Sequence, residues 1–307
     1  MILNLENFTE IKRGLSKKKI YRNCENKLNK IYIDFSNDKK EFLNFIEVYE
    51  ILKKIDITIP LIYEVFWNKK IIVMEDFGDN TFDTILDKKN LFNLLKLAVD
   101  NLIIIQNSVT NNDLLKLKKY SYHNLKKEIS EFVDFYIPYK NILDFQIDEF
   151  YNCWKIQFYR HKFKFNSFAH KDFEFINLIF INKNTKNYKC GIIDFQNSFQ
   201  GFLGWDLFSV LENSRVDFSR KYNNELIKYF YDNVNPSMEF NIFCNQYYLL
   251  NLARQTRLLG RWAKLYNQNK NADYLEYINC TEKRITSCLS KIQNDKLKLI
   301  YKNTLIN

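Results

Sequence analysis

Residues 167–178 read SFAHKDFEFINL. In this segment an aspartate, Asp172, stands two positions after His170, and an asparagine, Asn177, stands five positions after the aspartate. The apolar run Leu178–Asn182 comes next and predicts a β-strand, so the polar residues form a loop that leads into a strand. Aspartate and asparagine also end strands and build turns without any catalytic role, and for either residue alone that explanation is as good as a functional one.

A second aspartate completes the pattern. Asp194 ends the next apolar run, Cys190–Ile193, seventeen residues after Asn177. Phosphoryl transfer to an alcohol needs one carboxylate that orients and deprotonates the attacking hydroxyl. It also needs a carboxylate and an amide oxygen that bind Mg²⁺ against the phosphates. The complete order, loop, strand, turn, strand and aspartate, predicts that Asp172 is the catalytic carboxylate and that Asn177 and Asp194 bind the metal.

The first 75 residues predict a small β-rich region. Two predicted strand pairs, Lys18–Cys24 with Lys30–Ser36 and Leu61–Phe66 with Lys69–Met74, flank one predicted helix at Asp38–Lys54. The rest of the chain has mostly helical periodicity. We therefore predict an α+β fold with a small N-lobe at residues 1–77, a large helical C-lobe at residues 78–307, and a ligand in the cleft between the lobes.

The tripeptide Asp76-Phe77-Gly78 has the same letters as the metal-binding motif of protein kinases. It precedes the loop at His170, however, whereas a metal-binding aspartate should follow the catalytic loop. The tripeptide instead lies where the two predicted lobes join. We therefore expect the backbone of Glu75 and Phe77 to contact an adenine edge, which requires no particular side chain.

The composition of the 307 residues limits the classes of function. A hydrophobic content of 46% excludes a disordered chain, and no uncharged apolar run reaches the ~18–20 residues of a membrane span. The N-terminal residues do not resemble a signal peptide, and the six cysteines lack C-x-x-C spacing, so we expect a cytoplasmic protein with buried thiols. The net charge of +10 permits nucleic-acid binding. Because the lysines are scattered rather than gathered in one stripe, we do not expect a nucleic acid as partner, and because no apolar run is long enough to span a membrane, we do not expect a membrane as partner.

The chain resembles the aminoglycoside phosphotransferase and choline kinase family of small-molecule kinases, whose fold is protein-kinase-like and bilobal. The loop at residues 170–177 matches that family's H-x-D-x-x-x-x-N, and Asp194 matches its I-D-[FW] strand. The blocks GIIDFQNSFQG at 191–201 and WDLFSVL at 205–211 are similar to the anomeric sugar kinases, which phosphorylate N-acetylmuramate and N-acetylglucosamine. The segment ARQTRLLGRWA at 253–263 is similar to a helix of the same subgroup.

The resemblance implies roles for five further residues. His170 and Asp206 would support the catalytic loop. Glu174, which stands where the family often has a second histidine, would add a negative charge beside the cleft and disfavour a strongly anionic acceptor. Arg254 and Arg257, on one face of the later helix, would offer guanidinium groups to a carboxylate or to sugar oxygens. Equally, these two arginines could pair with surface carboxylates.

One departure from protein kinases concerns the strand lysine that contacts the α- and β-phosphates, because Asp34 stands at that position. Phosphate binding would then fall to the basic loop that contains Ser16, Lys17, Lys18 and Lys19. A solvated basic turn explains that loop equally well.

The sequence thus predicts an ATP- and Mg²⁺-dependent kinase that phosphorylates a hydroxyl of a small molecule. An amino sugar such as N-acetylmuramate or N-acetylglucosamine is the expected acceptor, and choline, another amino-alcohol or an aminoglycoside is the alternative. The alternative function is a non-catalytic nucleotide-binding pseudokinase. The missing strand lysine favours that alternative, whereas the set of Asp172, Asn177 and Asp194 opposes it.

Overall fold

A computed structural model of the chain describes residues 8–11, 18–23, 30–182 and 188–305. The chain forms two compact units. The first comprises the chain up to Lys116 together with His170–Ser198, and the second comprises Leu117–Ala169 and Phe199–Asn307. This division differs from the lobe boundary expected at residue 77, which remains a prediction. The first unit contains both the N-terminal sheet and the segment with the predicted catalytic and metal-binding residues.

The strands of the described part of the chain are short. They are β1 (Phe8–Glu10), β2 (Lys19–Asn23), β3 (Lys30–Asp34), β4 (Ile62–Phe66), β5 (Ile71–Glu75), β6 (Ser167–Ala169), β7 (Leu178–Asn182), β8 (Tyr188–Ile192) and β9 (Phe199–Gly201).

Helices occupy most of the remaining residues. They are α1 (Lys39–Leu52), α2 (Phe82–Ile85), α3 (Leu91–Ser108), α4 (Asn111–Leu114), α5 (Tyr122–Glu131), α6 (Ile137–Tyr139), α7 (Ile147–Arg160), α8 (Trp205–Leu211), α9 (Asn223–Val234), α10 (Phe240–Asn269), α11 (Asp273–Lys291) and α12 (Asp295–Leu305).

The first unit is built on an antiparallel sheet of five strands in the order β1-β2-β3-β5-β4. Both predicted strand pairs are confirmed, since β2 pairs with β3 and β4 with β5. The run Ile71–Met74 on β5 is buried and forms part of the core. Strand β1 was not predicted. It has three residues and extends the sheet beyond β2, with Phe8 opposite Asn23.

Helix α1 confirms the predicted helix between the strand pairs. Asp38 is its N-cap, because the Asp38 side chain accepts a hydrogen bond from the backbone N–H of Glu41 at 2.8 Å. Phe42, Phe45 and Leu52 recur at helical spacing and are buried. The helix therefore turns its apolar face inward and keeps Glu41 in its first turn.

The second unit is mainly helical and is organised around the 30-residue helix α10, which packs against α5, α8 and α11. Gly260 makes one of these contacts possible. A Cβ added at Gly260 would lie 2.1 Å from the carbonyl carbon of Glu131, at the end of α5. Among the described residues, none of the helices combines the length and the hydropathy that a membrane-spanning helix requires.

Candidate active site

The loop from His170 to Asn177 is held by hydrogen bonds to its own backbone. The N–H of Glu174 donates to the carbonyl of Asp172 at 2.8 Å, and the N–H of Asn177 donates to the carbonyl of Glu174 at 2.8 Å. The side-chain Nδ2 of Asn177 also donates to the Asp172 carbonyl, at 2.8 Å. Two of these bonds go to the main-chain carbonyl of Asp172 and one to that of Glu174, and none of the three involves the Asp172 carboxylate. They also fix the Asn177 amide so that its Oδ1 remains to bind a cation.

Two residues of the site have left-handed backbone conformations. Lys171, between His170 and Asp172, has a φ of 81°, and Asp194 has a φ of 65°. For residues with a side chain such conformations cost about 1–3 kcal/mol and are concentrated at functional sites. The strain therefore lies next to the predicted catalytic residue and at a predicted metal ligand.

His170 connects the predicted catalytic loop to the strand that leads to Asp194. Its imidazole is completely buried and donates from Nε2 to the carbonyl of Ile193 at 3.1 Å. The ring also packs edge-on against Phe173, with centroids 5.7 Å apart. Burial lowers the pKa of His170 below its ordinary value, although the nearby carboxylates oppose the shift. A neutral, buried histidine of this kind suits the predicted supporting role.

The hairpin of β7 and β8 carries the two predicted metal ligands at one end. Leu178 pairs with Ile192, and the N–H of Ile193 donates to the carbonyl of Asn177 at 3.1 Å. Asp194 follows directly. Residues predicted from separate sequence motifs are thus neighbours in the structure.

Asp194 is held by two nitrogen donors. The ammonium of Lys18 forms an ion pair with Oδ1 of Asp194, and Nε2 of Gln196 donates to the same oxygen at 3.0 Å. Burial opposes ionisation of Asp194, but Lys18 and Gln196 outweigh it, and the pKa of the carboxyl lies below its ordinary value. Asp194 is therefore an anion at neutral pH.

Glu41, on helix α1, belongs to the same cluster. Its Oε1 lies 3.8 Å from the Lys18 ammonium and accepts a hydrogen bond from Gln196 Nε2 at 3.0 Å. We define Lys18, Glu41, Asp194 and Gln196 as the carboxylate clamp. Neither Glu41 nor Gln196 was predicted as a site residue. The available signals were an acidic residue in the first turn of the only helix of the predicted N-lobe and a polar residue two positions after Asp194.

The carboxylate clamp contains a lysine, Lys18, that contacts Asp194 although the usual strand position carries Asp34. Asp34 stands at the expected place on β3, but its carboxylate accepts from the backbone N–H of Ser36 at 2.7 Å and shapes a local turn. Lys19 lies opposite Asp34 in the neighbouring strand and is exposed. Lys18, one residue earlier, has only 4% of its side chain exposed. A lysine immediately before β2 therefore contacts the Glu41 carboxylate of helix α1 and the carboxylate of Asp194.

The tripeptide Asp76-Phe77-Gly78 is held by contacts other than metal binding. Asp76 pairs with Arg22 on β2, whose Nε lies 2.5 Å from Asp76 Oδ2, and it accepts from the backbone N–H of Gly78 at 2.8 Å. The Phe77 ring packs where a side chain at Gly191 would otherwise lie, since a Cβ added at Gly191 would be 2.6 Å from a ring carbon. These contacts occupy the side chains of Asp76 and Phe77.

The backbone around Phe77 is the segment in which we predicted adenine binding. The N–H of Glu75 donates to the carbonyl of Leu61 at 2.9 Å, whereas the N–H of Phe77 has no hydrogen-bond partner among the residues that the structure describes. That N–H is consequently available to a ligand.

The structure describes only some of the other predicted site residues. Ser16 and Lys17 lie outside the described residues. Glu174 and Asp206 are buried, at 5% and 2% exposed, and Asp206 lies in the first turn of α8. On α10, Arg254 is 1% exposed and Arg257 is half-buried.

Within the described ranges, no group of three or more His, Cys, Asp or Glu side chains could hold a metal ion. A magnesium site shared with a nucleotide does not need one, since Mg²⁺ usually binds one or two carboxylates together with substrate phosphates. The residues present fit such a site. Lys18 and Gln196 bind Oδ1 of Asp194, so that Oδ2 remains, and Asn177 contributes its Oδ1.

The sequence comparisons find a curated relative of low sequence identity. No protein-family model matches the chain. The N-acetylmuramate/N-acetylglucosamine kinase of Caulobacter vibrioides is 23% identical over 216 residues, which cover 67% of this chain and 59% of the relative. The matched part of the chain thus spans less than two thirds of the relative's length.

Solved structures with a similar fold include three small-molecule kinases. The spectinomycin phosphotransferase solved with ADP and spectinomycin has a TM-score of 0.56 at 14% identity, with 92% of each chain covered. This chain has the fold of such kinases. Plasmodium vivax ethanolamine kinase has a TM-score of 0.62 at 13% identity, covering 94% of this chain and 84% of its own.

The choline kinase LicA of Streptococcus pneumoniae has a TM-score of 0.60 at 13% identity, and the match covers 93% of this chain and 96% of that one. The predicted resemblance to aminoglycoside phosphotransferases and choline kinases is therefore confirmed, and so is the predicted protein-kinase-like fold. At these identities the structural likeness establishes the fold.

Proposed function

We propose that the protein is an ATP-dependent phosphotransferase that transfers the γ-phosphoryl group to a hydroxyl of a small molecule. The observation that carries the proposal is the proximity of Asp172, Asn177 and Asp194 at one end of the β7–β8 hairpin. This is the set that orients an alcohol and binds the nucleotide's magnesium. The kinase fold and the resemblance to an amino sugar kinase support it.

In the proposed reaction, Asp172 accepts a hydrogen bond from the acceptor hydroxyl and receives its proton as the phosphoryl group transfers. Because the transition state of phosphoryl transfer is loose, Asp172 mainly orients the hydroxyl and need not be a strong base. The Asn177 amide keeps the loop closed through its bond to the Asp172 carbonyl. Asn177 Oδ1 and Asp194 would hold Mg²⁺, which neutralises charge on the phosphates when it is bound.

Lys18 is the proposed phosphate-binding cation. It is nearly buried, and it contacts both Glu41 and Asp194, so it lies beside the proposed metal site and not in solvent. Lys19 is exposed and would add only a screened charge. With Lys18 in this role, the loss of the strand lysine at Asp34 is no longer an argument for a pseudokinase.

For the nucleotide base, we propose that the backbone at Glu75 and Phe77 binds the adenine edge. The N–H of Phe77, which has no partner within the described part of the chain, supports this. The Phe77 ring packs against Gly191, which precedes Asp194 on the same strand and turn. The base and the phosphates would thus be bound by neighbouring parts of the first unit.

For the acceptor, we propose an amino sugar of the N-acetylmuramate or N-acetylglucosamine type. The support is the resemblance to the Caulobacter kinase and the arginine-bearing segment on α10. Arg254 is almost completely buried and Arg257 is half-buried, so Arg257 is the more accessible of the two predicted acceptor-binding arginines. Glu174 is also buried, so we assign it no direct contact with the acceptor.

The experiment is a panel of acceptors. ATP consumption with Mg²⁺ is measured with amino sugars, neutral sugars, choline, ethanolamine and aminoglycosides, beside a sample without acceptor. We expect consumption that depends on an N-acetylated amino sugar. Consumption with choline and not with sugars would overturn the sugar assignment, and nucleotide binding without consumption for any acceptor would favour the pseudokinase.

A further inference from the structure

We propose that Gln196 is a positioning residue that fixes Asp194 relative to Glu41 through one amide nitrogen. This inference rests on the proposed function, because it assigns Asp194 to the nucleotide's metal. Gln196 itself touches neither the acceptor nor the phosphates in this assignment. It acts through the two carboxylates that it bridges.

The contacts within the carboxylate clamp form a closed ring. Nε2 of Gln196 donates to Oε1 of Glu41 and to Oδ1 of Asp194, both at 3.0 Å. The Lys18 ammonium contacts the same two oxygens, Glu41 Oε1 at 3.8 Å and Asp194 Oδ1 in a short ion pair. Two nitrogen donors and two carboxylate oxygens therefore alternate around one ring.

The clamp brings two like charges together in a partly buried place. Burial, and then the negative charge of Asp194 and Asp38, raise the pKa of Glu41, while Lys18 and Gln196 lower it. Without donors between them, two carboxylates this close repel each other and turn apart. An amide –NH₂ is the neutral side-chain group that can give one hydrogen to each.

Gln196 cannot easily move out of this position. It is 2% exposed and lies in the helical turn of residues 195–197. The preceding residue, Phe195, packs on Phe45 of helix α1, with ring centroids 4.7 Å apart. An apolar contact and a polar contact thus attach the segment after Asp194 to the same helix that carries Glu41.

Gln196 becomes important because Lys18, its partner in the carboxylate clamp, is also the proposed phosphate-binding cation. When Lys18 engages the phosphates of a bound nucleotide, its contacts with the two carboxylates weaken. Gln196 is then the donor that remains between them. It keeps Oδ1 of Asp194 occupied and leaves Oδ2 directed to the cation, as partners behind a metal ligand commonly do.

The test compares Gln196→Met, which keeps the length but has no donor, with Gln196→Asn, which keeps the amide but is one methylene too short to span both oxygens. Gln246→Met is the control, because Gln246 is also buried, at 6% exposed, and donates from Nε2 to the carbonyl of His161. Circular dichroism first establishes that each variant is folded. Calorimetry then measures binding of a non-hydrolysable ATP analogue at a series of Mg²⁺ concentrations.

We expect both Gln196 variants to need about tenfold more Mg²⁺ for half-maximal analogue binding, in line with the loss of a partner behind a metal ligand. At saturating Mg²⁺ their affinity for the analogue should approach that of the wild type, and Gln246→Met should match the wild type throughout. A folded Gln196 variant with a Mg²⁺ requirement within twofold of the wild type overturns the role of Gln196 and leaves the proposed function standing. Failure of the wild type itself to bind the analogue overturns both.

Discussion

At the scale of single residues, His170 links the loop that contains Asp172 to the strand that leads to Asp194, and it is buried in its neutral form. Burial lowers its pKa, so below the ordinary value of about 6.5 the unfolded chain binds a proton that the folded chain resists. The free energy of unfolding should therefore fall as the pH is lowered from 7 to 5.5, by at most about 1.4 kcal/mol per pH unit from this group. Urea unfolding at the two pH values measures it.

The His170→Gln variant should lose part of this pH dependence. The exposed His123 provides the control, and His123→Gln should retain the full dependence. An identical fall in stability for the wild type and His170→Gln would show that His170 is not the titrating group.

The two proposed metal ligands, Asp194 and Asn177, should contribute unequally to activity. Asp194→Ala removes an anionic ligand and Asn177→Ala a neutral one, so Asp194→Ala should lower kcat by about 100-fold or more and Asn177→Ala by less. Excess Mg²⁺ should restore much of the Asn177→Ala activity and little of the Asp194→Ala activity. Asn182→Ala, at the exposed end of β7, is the matched control. The opposite ranking in a Mg²⁺ titration would mean that the two roles are reversed.

Local sequence motifs predicted some site residues and could not predict others. Asp172 and Asn177 share one loop, so spacing alone related them. The partners in the carboxylate clamp are distant in sequence, with 155 positions between Glu41 and Gln196 and 176 between Lys18 and Asp194. Only the packing of helix α1 against the segment after Asp194 brings them together. Lys18 was predicted only as one member of a basic loop.

At the scale of secondary-structure elements, Gly260 controls how α10 lies against the end of α5. A Cβ there would lie 2.1 Å from a backbone carbon of Glu131 and 2.4 Å from the backbone nitrogen of Phe132, and backbone atoms cannot turn aside as a side chain can. Gly260→Ala should therefore destabilise the protein by about 1–3 kcal/mol. Thermal unfolding measures the change.

Whether Gly260→Ala lowers or raises the stability of the protein tests the packing of α10 against α5. In an unhindered helix, replacing Gly by Ala is stabilising by about 1 kcal/mol. Asn267→Ala, at an exposed position of the same helix, is the control and should change the stability little. An increase in stability for Gly260→Ala would contradict the close packing of the two helices.

Elements with a clear periodic pattern were predicted well. Helix α1, with its N-cap at Asp38, and the β7 strand came directly from spacing. Strands β1, β6 and β9 were missed because each has three residues, too few to establish an alternating pattern. Their existence depends on distant partners, since β6 pairs with β9 and β1 with β2.

At the scale of the whole molecule, the fold is that of kinases that act on very different acceptors, including spectinomycin, ethanolamine and choline. The fold alone therefore does not identify an acceptor, and the proposed acceptor must be argued from particular residues. The arginine-bearing segment of α10 and the resemblance to an amino sugar kinase favour a sugar.

The most direct measurement follows the γ-phosphoryl group itself. ATP labelled in the γ-phosphate is incubated with Mg²⁺ and N-acetylglucosamine or N-acetylmuramate, and the label is traced to sugar phosphate or to free phosphate by mass spectrometry. We expect the wild type to place the label on the sugar, and Asp172→Asn to do so about 10²–10⁴-fold more slowly while binding ATP with similar affinity. Equal rates of sugar phosphorylation by the wild type and Asp172→Asn, or label recovered only as free phosphate, would contradict transfer at this site.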